Sequence, residues 1–205
     1  MNPWPSIALL IAACALAQES PKPSKSPKPG LYAIFKTEFG DIRAILYEKE
    51  VPITVSTFVG LAQGTQLWKD PDGKMVRKPL YNNTVFFRVI PGTAIQGGSP
   101  IGSAKYDCGF AIRDELLPGY QFKLGSLAIA NSGTADTGSC QFFFTAEPMR
   151  TWNMKYAIFG QAVEGLDVVE KLVKVPAHGE EPIHPPKLIS ITIQRIGPPP
   201  EVKKH

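Results

Sequence analysis

The chain has 205 residues, 43% hydrophobic and 20% charged, the composition of an ordinary soluble domain with enough apolar content to bury a core. Of its formal net charge of +4, residues 18–30 hold +2 (Lys22, Lys25 and Lys28 against Glu19) and residues 198–205 hold +1 (Lys203 and Lys204 against Glu201), leaving only +1 elsewhere. The basic balance lives in the tails, no concentrated patch marks the domain, and nucleic acid is not an expected partner.

Residues 1–17 contain no charged side chain, and Ile7 to Ala17 is an apolar stretch ending in Ala15-Leu16-Ala17. Such a stretch matches the hydrophobic core and small-residue cleavage site of a secretory signal and is too short for a membrane span. Ile11-Ala12-Ala13-Cys14 resembles a bacterial lipobox, in which the cysteine carries lipid, so a membrane tether through Cys14 competes with cleavage after Ala17. Export is expected either way, to the periplasm or to a lipid-anchored place in the envelope. Residues 18–30 form a Pro/Ser/Lys linker with Pro21, Pro23, Pro27 and Pro29, a composition that stays extended because it has no apolar surface to bury.

The expected domain covers residues 31–197, with a polar tail over 198–205. Leu31–Phe39 and Asp41–Glu48 read as two strands joined at Gly40 in a hairpin. Ile53–Gln63 reads as a helix whose buried face carries Val55, Phe58, Val59 and Ala62, and Gly64 stops it. Gln66 to Pro79 is polar and reads as a surface loop turning at Asp70-Pro71-Asp72-Gly73. Further strands are expected over Leu124–Asn131, Gln141–Ala146, Ala157–Val163 and Lys187–Ile196, with a second helix over Leu166–Val173 that buries Leu166, Val169 and Val173. The Ser99–Gly109 and Ser132–Cys140 segments read as loops. Many short strands with two helices point to a β-barrel.

Between these elements lies the run Thr84-Val85-Phe86-Phe87-Arg88-Val89-Ile90, which reads as one strand, followed by a turn at Pro91-Gly92 and by Gly97-Gly98. Strand alternation would put Phe86, Arg88 and Ile90 on one face. A permanent cation on such a face has two readings. It is an edge arginine with its stem on apolar surface and its head in water, or it is functional.

Phe86-x-Arg88-Val89-Ile90-Pro91-Gly92-x-x-Ile95-Gln96-Gly97-Gly98 resembles the cyclophilin signature F-H-R-V-I-P-G-F-M-I-Q-G-G. Leu127-Ala128-Ile129-Ala130-Asn131-Ser132-Gly133 with Gly138-Ser139-Cys140-Gln141-Phe142-Phe143-Phe144-Thr145 is similar to the family's L-S-M-A-N-A-G and G-S-Q-F-F-I-T blocks. Lys155-Tyr156-Ala157-Ile158-Phe159-Gly160 resembles its K-H-x-V-F-G. The three blocks occur in the family's order across most of Leu31 to Ile196. The resemblance implies a mainly β fold, an eight-stranded antiparallel barrel capped by two helices, and a peptidyl-prolyl cis–trans isomerase that acts as a monomer on proline-containing polypeptides. It also marks Asp114-Glu115 as a structural segment with no acid–base role.

The chemistry absent from the sequence agrees with that implication. His178, His184 and His205 are late and lack metal-ligand spacing. There is no Walker loop, dinucleotide fingerprint or nucleophile elbow. No metal or cofactor is expected, because rotating an X–Pro bond breaks amide resonance without making or breaking a covalent bond. The barrier is about 18–20 kcal/mol. In the twisted state the prolyl nitrogen is pyramidal and carries a basic lone pair. A fixed N–H donor aimed at it stabilises that state more than either planar one, and arginine's charged planar fork suits the task.

By the resemblance, Arg88 is the catalytic donor, and Gln96 orients it and binds the peptide backbone. Asn131, through its main chain, holds the residue before proline. Phe143 forms the floor of the proline slot, with Ala130 and Gln141 nearby. From the residues alone Phe142 and Phe144 serve equally well. The family's Phe and Met after the Pro-Gly turn are Thr93 and Ala94 here, its His before the arginine is Phe87, its slot leucine is Trp152 and its late His is Tyr156. Thr93 and Ala94 should therefore make the slot shallower, with Trp152 as the compensating wall. A proline-peptide binding module with weak turnover is the competing function. The same alignment puts Cys108 and Cys140 in loops beside the groove, where an exported protein would join them as a disulfide; two separate buried thiols are the alternative.

Overall fold

The computed structural model describes residues 27–199. The signal-like segment with Cys14, most of the linker and the end of the tail lie outside the described residues, and no described helix is long and apolar enough to cross a membrane. The domain opens on β1 (Gly30–Thr37) and β2 (Gly40–Leu46), an antiparallel hairpin that turns through Gly40 at φ +124°, a backbone region that side chains avoid. Their alternate residues, Ala33 and Phe35 on β1 and Ile42 and Ala44 on β2, are fully buried.

Helix α1 (Pro52–Gln63) starts with Pro52 in its first turn and ends at Gly64 in the left-handed conformation, the expected asymmetry of helix ends. Its N-cap, Val51, offers no side-chain acceptor. Glu115 supplies one from a distant segment, accepting from Ile53 N–H at 3.1 Å and from the N–H and hydroxyl of Thr54 at 2.8 Å each. A carboxylate there also complements the helix dipole. Asp114 and Asp136 accept hydrogen bonds from each other's main-chain N–H at 3.0 and 2.7 Å, so both acids of the pair hold loops and a helix end in place.

The buried side of α1 is wider than a simple stripe: Thr54, Thr57 and Leu61 are buried with Val55, Phe58 and Ala62, whereas Val59 is only partly buried. The helix closes one end of the sheet, where Phe58 meets the rings of Phe35, Tyr81, Phe142 and Phe159 at 4.9–5.8 Å.

Residues 66–79 are more than a surface loop. β3 (Trp68–Lys69) and β4 (Met75–Val76) pair there around the expected turn, and Trp68 is buried with its indole N–H donating to Lys78 O at 2.8 Å. The polar neighbours of Trp68 hid an anchoring aromatic.

The run from Thr84 to Ile90 is also not one strand. It divides into β5 (Thr84–Val85) and β6 (Arg88–Ile90), because its partners change in between. Phe86 N–H donates to Pro186 O, and Phe87 N–H donates to Gln96 O. The break offsets the alternation: Phe86 joins Val89 in the core, while Arg88 and Ile90 face a surface groove. The expected common face for Phe86, Arg88 and Ile90 is corrected accordingly.

β7 (Ala94–Gly97) returns against β6. There follow β8 (Ser126–Ile129), β9 (Phe142–Thr145), a 3-10 turn at Arg150–Trp152, β10 (Ile158–Glu164) and α2 (Leu166–Leu172). β11 (Ala177–His178) and β12 (Glu181–Pro182) form a small hairpin before the closing strand β13 (Lys187–Ile196). α2 buries Val168, Val169 and Leu172, with Val173 just after it, while Leu166 is only partly buried.

The main sheet runs β5-β13-β1-β2-β10-β8-β9-β7-β6, antiparallel throughout. Its two ends, β5 and β6, are halves of the same interrupted run, so the sheet curls round on itself. Counted as one strand, they give the expected eight-stranded antiparallel barrel with two helices. Phe35, Phe142, Phe144 and Phe159 fill its interior, and a second, smaller cluster around Phe122 and Phe143 lies outside.

Candidate active site

Period-2 alternation builds the site. On β9, Phe142 and Phe144 point into the barrel and Phe143 points out; on β7, Ile95 points in while Ala94 and Gln96 point out; on β6, Val89 points in and Arg88 out. Register then aligns the outward residues in one row across five strands. Arg88 is paired with Gln96, Gln96 with Phe143, Phe143 with Ala128, and Ala128 with Ile158. The question of which phenylalanine faces the groove is answered by this row.

Above the row lies a groove of about 500 Å³. Phe143 forms part of its floor inside an aromatic box. Trp152 and Tyr156 stand edge-on to its ring at 5.5 and 5.3 Å, and Phe122 stacks parallel to it at 5.8 Å. The 3-10 turn delivers Trp152, and Asn153 beside it accepts a hydrogen bond from Phe122 N–H at 3.0 Å. Sequence reasoning missed Phe122, which lies in an irregular stretch with no period to betray it.

A chain of amides fixes the guanidinium. Arg88 NH1 donates to Gln96 Oε1 at 3.1 Å, and Gln96 Nε2 donates to Gln141 Oε1 at 2.8 Å. Gln141 Nε2 in turn reaches the carbonyls of Ala104 at 3.2 Å and Tyr106 at 3.3 Å. Gln96 and Gln141 are buried, so their amides are held by one another rather than by water. The other edge of Arg88 meets an acid that sequence reasoning did not find: Nε donates to Glu180 Oε2 at 2.6 Å.

Ala130 and Asn131 continue β8 along the groove wall. Ala130 N–H donates to Gln141 O, and the Asn131 side chain is committed on both sides, to Lys155 O and to Gly133 N–H. The main-chain N–H and C=O of Asn131 have no hydrogen-bond partner among the described residues. An extended peptide could use them as a strand uses its neighbour. Ala94 lies on the floor with the Phe143 cluster. Thr93 does not reach the groove lining; its hydroxyl donates to Glu147 Oε1 at 2.6 Å in the β6–β7 turn.

Cys108 and Cys140 are joined by a disulfide, with Cα atoms 6.2 Å apart, and both line the groove from buried positions. Just past β7, Gly98 lets the chain pass close to the Cys140 backbone, since a Cβ there would sit 2.6 Å from Cys140 O. Farther along, Asp107 pairs with Lys69, whose hydrogen bond, with that of Gly109 N–H, holds its carboxyl below the usual range. Burial raises the Tyr106 phenol, and the acids Asp70 and Asp107 add to the rise. Among the described residues no group of three or more His, Cys, Asp or Glu could hold a metal ion.

Residues 32–193 match the model of the family described as cyclophilin type peptidyl-prolyl cis-trans isomerase/CLD. The chain belongs to the cyclophilin-type family. It is 38% identical to peptidyl-prolyl cis-trans isomerase A of Mycobacterium tuberculosis over 180 residues, 83% of this chain and 96% of the relative. It is 40% identical to isomerase B of Streptomyces anulatus over 152 residues, 72% of this chain and 86% of that one. The solved cyclophilin-type isomerase of Cryptosporidium parvum, crystallised in the presence of the dipeptide Ala-Pro, superposes with a TM-score of 0.68 at 27% identity, covering 80% of this chain and 99% of that one.

Proposed function

We propose that the chain is a peptidyl-prolyl cis–trans isomerase in which Arg88 stabilises the twisted X–Pro amide. The row from Arg88 through Gln96 to Phe143 carries this reading. Neighbouring strands are about 4.8 Å apart, so the backbones bearing the guanidinium and the floor ring are about 10 Å apart, a gap suited to one prolyl unit. Phe143 with Trp152 and Tyr156 would take the ring, and Asn131's free main-chain groups would hold the preceding residue. Gln96 would keep the guanidinium aimed, so that the donor needs no reorganisation as the nitrogen becomes pyramidal. The Ala-Pro dipeptide used with the Cryptosporidium relative supports the substrate class.

Folding of envelope proteins would be the setting. The uncharged apolar segment 1–17, its Ala-x-Ala ending and Cys14 support export, and the Cys108–Cys140 disulfide suits an oxidising compartment. A protease-coupled assay with a proline tetrapeptide tests the activity. Acceleration of cis–trans exchange is expected; peptide binding with no acceleration would make the domain a proline-peptide binding module instead.

A further inference from the structure

The geometry points to Glu180 as a positioning residue that holds the second edge of the Arg88 guanidinium. The inference rests on the reading of Arg88 as the transition-state donor and adds what sets its aim. Gln96 fixes one edge through NH1. With that contact alone, the fork could still pivot about its long stem, because both the guanidinium and its surroundings are open: 41% of the Arg88 side chain is exposed. The Glu180 carboxylate on Nε, at 2.6 Å, removes that pivot and leaves the NH2 group and one NH1 proton unengaged by these two partners for a substrate.

An exposed ion pair is usually weak, since two long side chains must be ordered to form it. Here the backbone does part of that work. Glu180 lies between β11 and β12, and its carbonyl accepts Val89 N–H at 2.8 Å. Val89 is the residue after Arg88, so one residue of the hairpin grips β6 twice, through its main chain and through its carboxylate. Pro182 in β12 is buried, and Ile183 N–H donates to Pro176 O across the base of the hairpin. The carboxylate is therefore presented from a tied-down turn. An acceptor oxygen suffices for this job, and full charge is not required.

The test compares Glu180→Ala and Glu180→Gln with the parent chain, each also in an Arg88→Ala background. Glu180→Ala is expected to lower kcat by about two- to tenfold, the scale of one net hydrogen bond, with KM within about twofold. Glu180→Gln, which keeps an acceptor oxygen, should recover most of that loss. With alanine at position 88, changing Glu180 should have no further effect. The Arg88 Nε–H proton resonance should shift and exchange faster in Glu180→Ala. Unchanged kcat in Glu180→Ala, or an equal loss in both backgrounds, would overturn the positioning role while leaving Arg88 as donor. An Arg88→Ala protein as active as the parent would overturn the donor reading and this inference together.

Discussion

Arg88 and Gln96 face each other as register partners on β6 and β7, and the hydrogen bond from NH1 to Oε1 is the first link of a buried amide chain that ends on the carbonyls of Ala104 and Tyr106. The aim of the guanidinium is thus tied to the loop of Ala104 and Tyr106, which itself lines the groove. Replacing Gln96 by Leu should cut this link and leave Gln141 Oε1 without its donor. Both activity and stability should fall: about tenfold or more in kcat/KM, and about 1–3 kcal/mol in unfolding free energy for the stranded acceptor. Isomerase assays and urea titration would check the two effects separately.

Phe142 and Phe143 are neighbours in sequence with opposite duties. Phe142 is fully buried among Phe35, Phe58, Tyr81 and Phe144, so Phe142→Ala should cost about 3–5 kcal/mol of stability. Phe143→Ala should instead weaken proline-peptide binding by about ten- to a hundredfold, the value of the apolar contact it offers. Trp152→Ala should act in the same direction as Phe143→Ala, and Thr93→Phe, which puts a larger side chain beside the groove, should raise catalysis unless it clashes with Trp152. Titration of the variants with a proline peptide would rank them.

This division explains what the sequence could and could not say. Three blocks in family order disclosed the fold, the arginine and the amides. An unbroken apolar run such as Phe142-Phe143-Phe144 cannot reveal which ring faces out, because that depends on the register with β7 and β8. The run around Arg88 misled for a related reason: its hydrogen-bond partner changes at Phe86–Phe87, and partners are a tertiary fact. Glu180 stood no chance of detection, lying 92 positions from Arg88 in a short, charged turn. Trp68 was hidden in a similar way, by its polar neighbours, and Glu115 could be marked as structural while its distant partner, the start of α1, could not be read.

The Cys108–Cys140 bridge closes a loop of 32 residues. Breaking it with Cys108→Ala and Cys140→Ala together should remove about 3–4 kcal/mol of stability through the unfolded chain. Because both cysteines line the groove, peptide affinity should fall as well. Denaturant unfolding of the double variant, and of the parent with and without reductant, would measure the stability term.

Asp70 gives the β3–β4 hairpin a pH response. Its carboxyl is held below the usual aspartate range, first by Lys74 N–H, with Lys78 and Asp72 N–H adding to the effect. A carboxyl lowered in the folded state stabilises the fold above its unfolded value and loses that contribution as pH falls through the folded value. The hairpin should therefore loosen only in acid, below about pH 4. Trp68 fluorescence followed against pH should show the step, and Asp70→Asn should shift or abolish it.

The central claim is that the Arg88 guanidinium acts on the twisted amide. Its most direct test is the isomerisation rate of a proline tetrapeptide by Arg88→Ala, measured beside the parent and beside Arg88→Lys. Loss of one preorganised donor of this kind should lower kcat/KM by about 10²–10³, with an unaltered circular dichroism spectrum, and lysine should restore little because a point charge lacks the planar fork. An Arg88→Ala protein that isomerises the peptide at nearly the parent rate would contradict the account.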